Sequence, residues 1–129
     1  MTNINSIQAH KESALDFLHL VMAGDIDEAY DKYVNMYGKH HNMHFSAEFI
    51  SLKQGMIESH TQFPNKRLMV KNVLGDGNFV AIHSNIVMKM GEPGIASVHI
   101  FRFEEGRIIE MWEVGQAIPV DSPNRLGAF

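Results

Sequence analysis

The second half of the chain contains four apolar segments that are separated by short glycine-containing turns. These segments, residues 67–74, 79–90, 95–103 and 107–116, are rich in Val, Ile and Phe, the residue types that favour β-strands. The sequences Gly-Asp-Gly-Asn, Gly-Glu-Pro-Gly and Glu-Glu-Gly stand between them, and turns of this composition join neighbouring strands as hairpins. The pattern predicts an antiparallel meander.

The first half has helical periodicity instead. Apolar residues recur every three or four positions, the spacing of an amphipathic helix, over residues 6–22, 25–33 and 46–57. Helices followed by a meander make an α+β order, in which the helices cover one face of the sheet. We therefore expect an α+β fold with a cone-shaped, curved antiparallel sheet covered by three N-terminal helices, as one domain over residues 1–129.

Composition excludes several classes of protein. The net charge is −4 and Lys and Arg are scattered, so we expect neither nucleic acid nor a membrane as a partner. Cysteine is absent, which excludes disulfides, thiolate metal sites and cysteine nucleophiles. Residues 1–12 are polar, and no segment approaches the roughly 20 apolar residues of a membrane span. We expect a cytoplasmic protein.

The last hairpin decides which residues share a face of the sheet. Residues 104–106 are typical of a three-residue loop with Gly in the left-handed position, which pairs Phe103 with Arg107 and places His99 opposite Met111. The predicted inner face then holds Ser97, His99, Phe101, Phe103, Ile109, Met111 and Glu113. The predicted outer face holds Val98, Ile100, Arg102, Ile108, Glu110, Trp112 and Val114.

Both predicted faces are apolar, although the helices can cover only one of them. A second subunit would cover the other face. We therefore expect a homodimer through the outer sheet face, with Arg102 and Glu110 paired across neighbouring strands.

Glu113 is the most informative single residue, because strand alternation places its carboxylate on a face made of apolar side chains and histidine. Such surroundings disfavour the charged form, so we expect a raised pKa and proton exchange near neutral pH. The alternative is a glutamate at a strand end that turns to solvent. The same alternation places His83 and His99 on the inner face, where they can bind a ligand oxygen or orient the carboxylate. Core histidines are the alternative for both.

Three histidines form an H-H-x-x-H run in the predicted loop over residues 37–45. Imidazole is a common zinc ligand, so His40, His41 and His44 admit a metal hypothesis. The run is not H-E-x-x-H, and no flanking Asp or Cys completes a tetrahedral site. A loop that closes over the pocket and a set of solvated histidines are the other interpretations. We expect neither a metal nor a cofactor.

The segment 98–116, V-H-I-F-R-F-E-E-G-R-I-I-E-M-W-E-V-G-Q, followed by Ile118 and Pro119, resembles the last hairpin of SnoaL-like polyketide cyclases. That family belongs to the superfamily of nuclear transport factor 2 and ketosteroid isomerase. Residues 37–42, Y-G-K-H-H-N, resemble the family's Tyr-x-x-His-Asn loop, and residues 80–83, V-A-I-H, resemble the strand that carries its histidine. The resemblance spans residues 10–120.

The resemblance implies a cystatin-like cone with an internal pocket, a dimer through the outer sheet face, and aldol condensation or a related proton abstraction alpha to a carbonyl, without metal or cofactor. Glu113 would be the catalytic acid–base residue, and His41 and His83 would be the family's loop and strand histidines, with His83 assisting catalysis. From the residues themselves we expect His99 to be the third catalytic residue, since an imidazole can donate to the carboxylate and orient it. The substrate would be a small hydrophobic carbonyl compound in contact with His41, Asn42, Phe101, Met111 and Trp112.

Two positions differ from the family pattern. His99 stands where relatives often have Asp, and Met111 stands where they often have His. A non-catalytic small-molecule-binding domain of the same fold is therefore the alternative function, since a shared fold does not fix an activity.

Overall fold

The computed structural model describes residues 4–129 and confirms the α+β fold class. The elements are helices α1 (Ile4–Ala23), α2 (Ile26–Tyr33) and α3 (Phe49–Gln62) and strands β1 (Val34–His40), β2 (Arg67–Asp76), β3 (Phe79–Val87), β4 (Ile95–Glu104) and β5 (Arg107–Ala117). All three predicted helices and all four predicted strands are present. None of the helices within residues 4–129 is long and apolar enough to cross a membrane.

Strand β1 lies where the sequence predicts the start of a loop. It pairs in parallel with β5 at the edge of a sheet with the order β1-β5-β4-β3-β2, so the sheet is mixed rather than wholly antiparallel. Gly38 permits this pairing, because a Cβ at that position would lie 2.1 Å from the carbonyl oxygen of Ile109. The chain therefore leaves β1 beside the middle of β5, where the residues of the candidate site begin.

The hydrophobic core lies between the inner face of the sheet and the helices. The ring of Phe17 in α1 contacts Tyr30 and Phe101 edge-on, with ring centroids 5.4 and 5.9 Å apart. Edge-to-face contacts of this kind stabilise a core beyond the burial of area alone. Phe101 and Met111, both predicted to contact substrate, are part of this core and are 0% and 3% exposed.

The hairpin between β4 and β5 has a tighter turn than the sequence predicts. Glu104 pairs with Arg107, which leaves a two-residue loop of Glu105 and Gly106 with φ values of 52° and 78°. Two successive positive φ values are typical of a type I′ turn, whose twist matches that of the flanking strands. The prediction that Phe103 pairs with Arg107 is wrong, because Glu105 adopts a conformation that non-glycine residues rarely take.

A bulge in β5 then shifts the register by one residue across Ile109. Bulges place two residues of one strand opposite one of its partner. Ile108, rather than Ile109, consequently packs in the core, and His99 pairs with Glu113 rather than with Met111. Beyond the bulge the two one-residue changes add to a shift of two residues, which preserves the alternation, so Met111 and Glu113 share the inner face with His99 as predicted.

Candidate functional site

A cavity of about 570 Å³ lies between the inner face of the sheet, the helices α1 and α3 and the loop after β1. Its volume falls in the range of small-molecule sites, roughly 300–1,000 Å³. Leu18, Val21, Leu52 and Met56 contribute to its apolar wall. The polar and charged residues of the wall are Asn42, His44, Ser59, Lys66, Ser97, His99 and Glu113.

Glu113 and His99 form a close pair on this wall. The Nε2–H of His99 donates to Oε2 of Glu113 at 2.6 Å, and the amide of Asn42 donates to Oε1 at 3.0 Å. The side chain of His99 is 5% exposed, whereas that of Glu113 is 37% exposed. Nδ1 of His99 is buried without a hydrogen-bond partner among residues 4–129. The carboxylate is therefore the member of the pair that a molecule in the cavity can reach.

The pKa of Glu113 is lowered from its ordinary value, which is the opposite of the expectation from sequence. The hydrogen bond from His99 is the largest cause. Burial acts in the other direction, and the positive charges of His99, His44 and Lys66 lower the pKa further. Donors and nearby cations favour the charged carboxylate more than the apolar wall disfavours it.

The loop after β1 holds Asn42 in place through a buried histidine. Nε2–H of His40 donates to the carbonyl of Ser46 at 2.6 Å, while its Nδ1 accepts the backbone N–H of Asn42 at 3.0 Å. The side-chain oxygen of Asn42 accepts the backbone N–H of His44, also at 3.0 Å. These bonds close the loop against the sheet, so Asn42 and His44 lie on the wall of the cavity.

His41 faces away from the cavity. Its Nε2–H donates to Glu110 at 2.6 Å, and its ring stacks on Trp112 at a centroid distance of 5.1 Å. Arg102 also donates to Glu110, at 3.0 Å, as predicted for the outer face. His41, which was predicted to contact substrate, thus lies outside the group of cavity-lining residues. Trp112, also predicted to contact substrate, does not line the large cavity but lines a smaller pocket that it shares with His99 and Glu113.

The histidines of the H-H-x-x-H run take different partners. His40 binds the loop backbone, His41 binds Glu110 on the outer face, and His44 lies on the cavity wall. Within residues 4–129 no three His, Asp or Glu side chains converge on a point that could hold a metal ion.

The predicted inner position of His83 is wrong. Ile82, not His83, is the cross-strand neighbour of His99, and directly opposed residues share a face. The side chain of His83 lies on the outer face, 3.0 Å from Asn72 and with its ring 5.2 Å from that of Phe129. Burial of Ile82 sets this parity, because an apolar side chain gains more from the core than imidazole does.

Lys66 is a residue of the cavity wall that the sequence does not single out. It follows the turn at the end of α3, it is 9% exposed, and its ammonium donates to Ser59 at 2.9 Å. Burial lowers its pKa, while the charge of Glu113 acts to raise it. The segment N-K-R is typical of a polar turn, so only the folded chain could reveal that Lys66 lines the cavity.

The architecture is shared with many solved structures. A candidate SnoaL-like polyketide cyclase from Jannaschia aligns with a TM-score of 0.73 at 14% identity, over 90% of this chain and 91% of that one. AclR, a candidate hydroxylase from Streptomyces galilaeus, gives 0.73 at 19% identity over 86% and 91%. A nuclear transport factor 2-like protein of unknown function from Cytophaga hutchinsonii gives 0.68 at 18% identity over 83% and 89%.

No protein-family model matches the sequence, and the comparison with curated proteins gives no match either. At identities below 20%, the likeness to solved structures establishes the fold. The chain therefore has the nuclear transport factor 2-like fold that the resemblance of its last hairpin predicts.

Proposed function

We propose that the protein is a cofactor-independent acid–base enzyme of the cyclase and isomerase kind, acting on a small hydrophobic carbonyl compound. The observation that carries this proposal is the carboxylate of Glu113, which has a donor on each oxygen, lies on the wall of an apolar cavity and is reachable from it. Positioned carboxylates are established general bases for carbon acids.

In the proposed step, Glu113 takes a proton from the carbon next to a carbonyl group of the bound molecule. The electrons of the broken C–H bond move into an enolate. Glu113 then returns the proton, either to another carbon of the enolate or to the alkoxide that forms when the enolate attacks a second carbonyl. His99 and Asn42 orient the carboxylate. The apolar wall strengthens these few polar contacts because it lowers the local dielectric constant.

Ligand binding without a reaction is the second candidate function. The observation that favours it is the lowered pKa of Glu113, whose first cause is the hydrogen bond from His99. A carboxylate with a lower pKa is a weaker base, and general base catalysis is most efficient when the pKa lies near the working pH. The two functions share the cavity and differ in whether a C–H bond breaks.

Hydrogen–deuterium exchange at carbon separates these candidates. The probe is 2-tetralone, a small apolar ketone with acidic C–H bonds, incubated with the protein in deuterated buffer and followed by proton NMR. The enzyme proposal expects faster loss of the α-proton signal with protein than without it. It also expects Glu113→Gln to remove most of this effect, since a positioned base contributes about 10²–10⁴-fold.

Glu110→Gln is the matched control, because Glu110 also accepts a 2.6 Å hydrogen bond from a histidine but lies on the opposite face of the sheet. This variant should keep the exchange rate of the wild type. If 2-tetralone binds in the cavity and its protons exchange no faster than in buffer, the protein is a binder and the enzyme proposal fails.

We also propose that the outer sheet face forms a homodimer. Val98 pairs with Val114 and Ile100 with Trp112 on this face, and Val114 is 62% exposed. Phe79 adds an exposed aromatic ring beside Trp112, at a centroid distance of 6.1 Å. A contiguous apolar patch of this kind is typical of an interaction site.

Sedimentation analysis tests the dimer. The wild type should sediment as a dimer, and Val114→Glu should shift it to a monomer, because a carboxylate without a partner is costly to bury in an interface. Ile50→Glu is the control, since Ile50 is equally exposed but lies on helix α3. A monomeric wild type at high concentration would rule out this interface.

A further inference from the structure

The cavity contains a lysine that the proposed proton transfer does not use. Lys66 and its partner Ser59 both line the cavity that Glu113 and His99 line. The position of Lys66 is fixed by its backbone, since its N–H donates to the carbonyl of Phe63 at the end of α3 and the next residue begins β2. The side chain is thus held inward by the fold.

The ammonium of Lys66 lacks a counter-charge in direct contact. Among residues 4–129 no carboxylate oxygen lies within 4.0 Å of its Nζ, and Ser59 is its hydrogen-bond partner. An ammonium has three N–H donors, and a buried charge is costly unless it is paired. By contrast, Lys53 of the same region pairs with Asp27 at 2.8 Å. The wall of the cavity therefore has an unused capacity to bind an anion.

We propose that Lys66 makes this cavity selective for an acidic ligand, a small hydrophobic molecule whose carboxylate binds the Lys66 ammonium and the Ser59 hydroxyl. Ser59 accepts from Lys66 through its oxygen, which leaves its own O–H free to donate to the same carboxylate. The inference rests on the proposed function in one respect, because the apolar body of the ligand occupies the cavity in which Glu113 acts.

Two oppositely charged groups on one wall give the ligand an orientation. The pKa of Glu113 responds to the charge of Lys66, and that of Lys66 responds to Glu113, so the two groups interact electrostatically. An anionic group is attracted by Lys66 and repelled by Glu113. The acidic end of the ligand therefore lies at Lys66, and its uncharged carbonyl end lies at Glu113.

A pair of probes that differ only in charge tests the inference. 1-Naphthylacetate and 1-naphthylacetamide have the same apolar body, and their affinities are measured by isothermal titration calorimetry. The wild type should bind the carboxylate about tenfold more tightly than the amide, since charge-assisted hydrogen bonds are the stronger kind. Lys66→Met should lose this preference while its affinity for the amide stays unchanged.

Lys53→Met is the control, because it removes a lysine that lies outside the cavity wall and should keep the preference of the wild type. Equal affinities of the wild type for the two probes, or a preference that survives in Lys66→Met, would overturn the inference. The Glu113→Gln variant separates the two proposals, since it should keep the preference for the carboxylate. If the wild type prefers the carboxylate probe but does not speed the exchange of the 2-tetralone protons, the enzyme proposal fails and the inference about Lys66 stands.

Discussion

His99 and Glu113 lie directly opposite each other on neighbouring antiparallel strands, and a 2.6 Å hydrogen bond joins Nε2 of the first to Oε2 of the second. The bulge at Ile109 creates this pairing, because without it His99 would face a different residue of β5. A backbone irregularity in the last hairpin therefore determines which carboxylate the imidazole binds. The chemistry proposed for the cavity depends on that one-residue shift.

Replacement of His99 by phenylalanine should raise the pKa of Glu113. The hydrogen bond from His99 is the largest cause of the lowered pKa. Its loss leaves burial, which acts to raise the pKa, opposed by the amide of Asn42 and by the more distant charges of His44 and Lys66. The measurement is a titration of the Glu113 carboxyl carbon by ¹³C NMR in protein with labelled glutamate. Glu113→Gln assigns the signal by its absence.

His83→Phe is the matched control for this titration, because His83 lies on the outer face of β3. In this variant the pKa of Glu113 should be the same as in the wild type. A titration that moves as far in His83→Phe as in His99→Phe would contradict the assignment of the two histidines to opposite faces.

The sequence predicts the fold class well because the signals involved are local and repeated. Helical periodicity and strand alternation place all three helices and four of the five strands. Strand β1 escapes prediction because its residues V-N-M-Y-G-K-H do not alternate, and its pairing with β5 depends on the close approach at Gly38. The local sequence does not indicate that this segment pairs in parallel with β5, whose paired residues lie more than 70 positions further along the chain.

The candidate site is predictable in part, because strand alternation is also a local signal. Parity along β4 and β5 correctly places His99 and Glu113 on one face. Parity fails for His83, since both faces of its strand contain apolar as well as polar residues, and only the pairing with β4 decides between the faces. Lys66 is missed altogether, because the burial of a lysine is a property of the packed chain.

Phe101 should behave as a core residue and not as a substrate contact. Phe101 is fully buried and its ring contacts that of Phe17. Phe101→Ala should lower the free energy of unfolding by about 3–5 kcal/mol, the usual cost of a large core truncation, as measured by urea denaturation. Ile50→Ala, at a position of helix α3 that is 63% exposed and lies outside the proposed dimer face, should change it by less than about 0.5 kcal/mol. Comparable losses in both variants would refute the assignment.

Gly55 of helix α3 should be required for the shape of the cavity. A Cβ at this position would lie 2.4 Å from the ring of Phe45, and both residues line the cavity. In a Phe45→Ala background, Gly55→Ala should stabilise the protein by about 1 kcal/mol, the helix propensity difference. In the wild-type background this gain should be cancelled, because the ring must move. A double-mutant cycle by urea denaturation measures the coupling, and additive effects would contradict it.

The buried ammonium of Lys66 should give the stability of the protein a specific pH dependence. Burial is the first cause of its lowered pKa, so the folded chain binds fewer protons than the unfolded chain between that pKa and the ordinary value of 10.5. The free energy of unfolding therefore contains a contribution that rises with pH through this window and is complete above 10.5. Lys66→Met removes the ammonium and with it this contribution.

The comparison is made by urea denaturation of the wild type, Lys66→Met and Lys53→Met at several values from about pH 7 to about pH 10. Near neutral pH, Lys66→Met should be at least as stable as the wild type, because it no longer buries a charge without a direct counter-ion. The wild type should gain stability relative to Lys66→Met as the pH rises. The contributions of the other titrating groups cancel in this difference, because both proteins contain those groups. A difference that stays constant over the whole range would show that the ammonium is as well solvated in the cavity as in the unfolded chain, and would contradict a pKa of Lys66 lowered by burial.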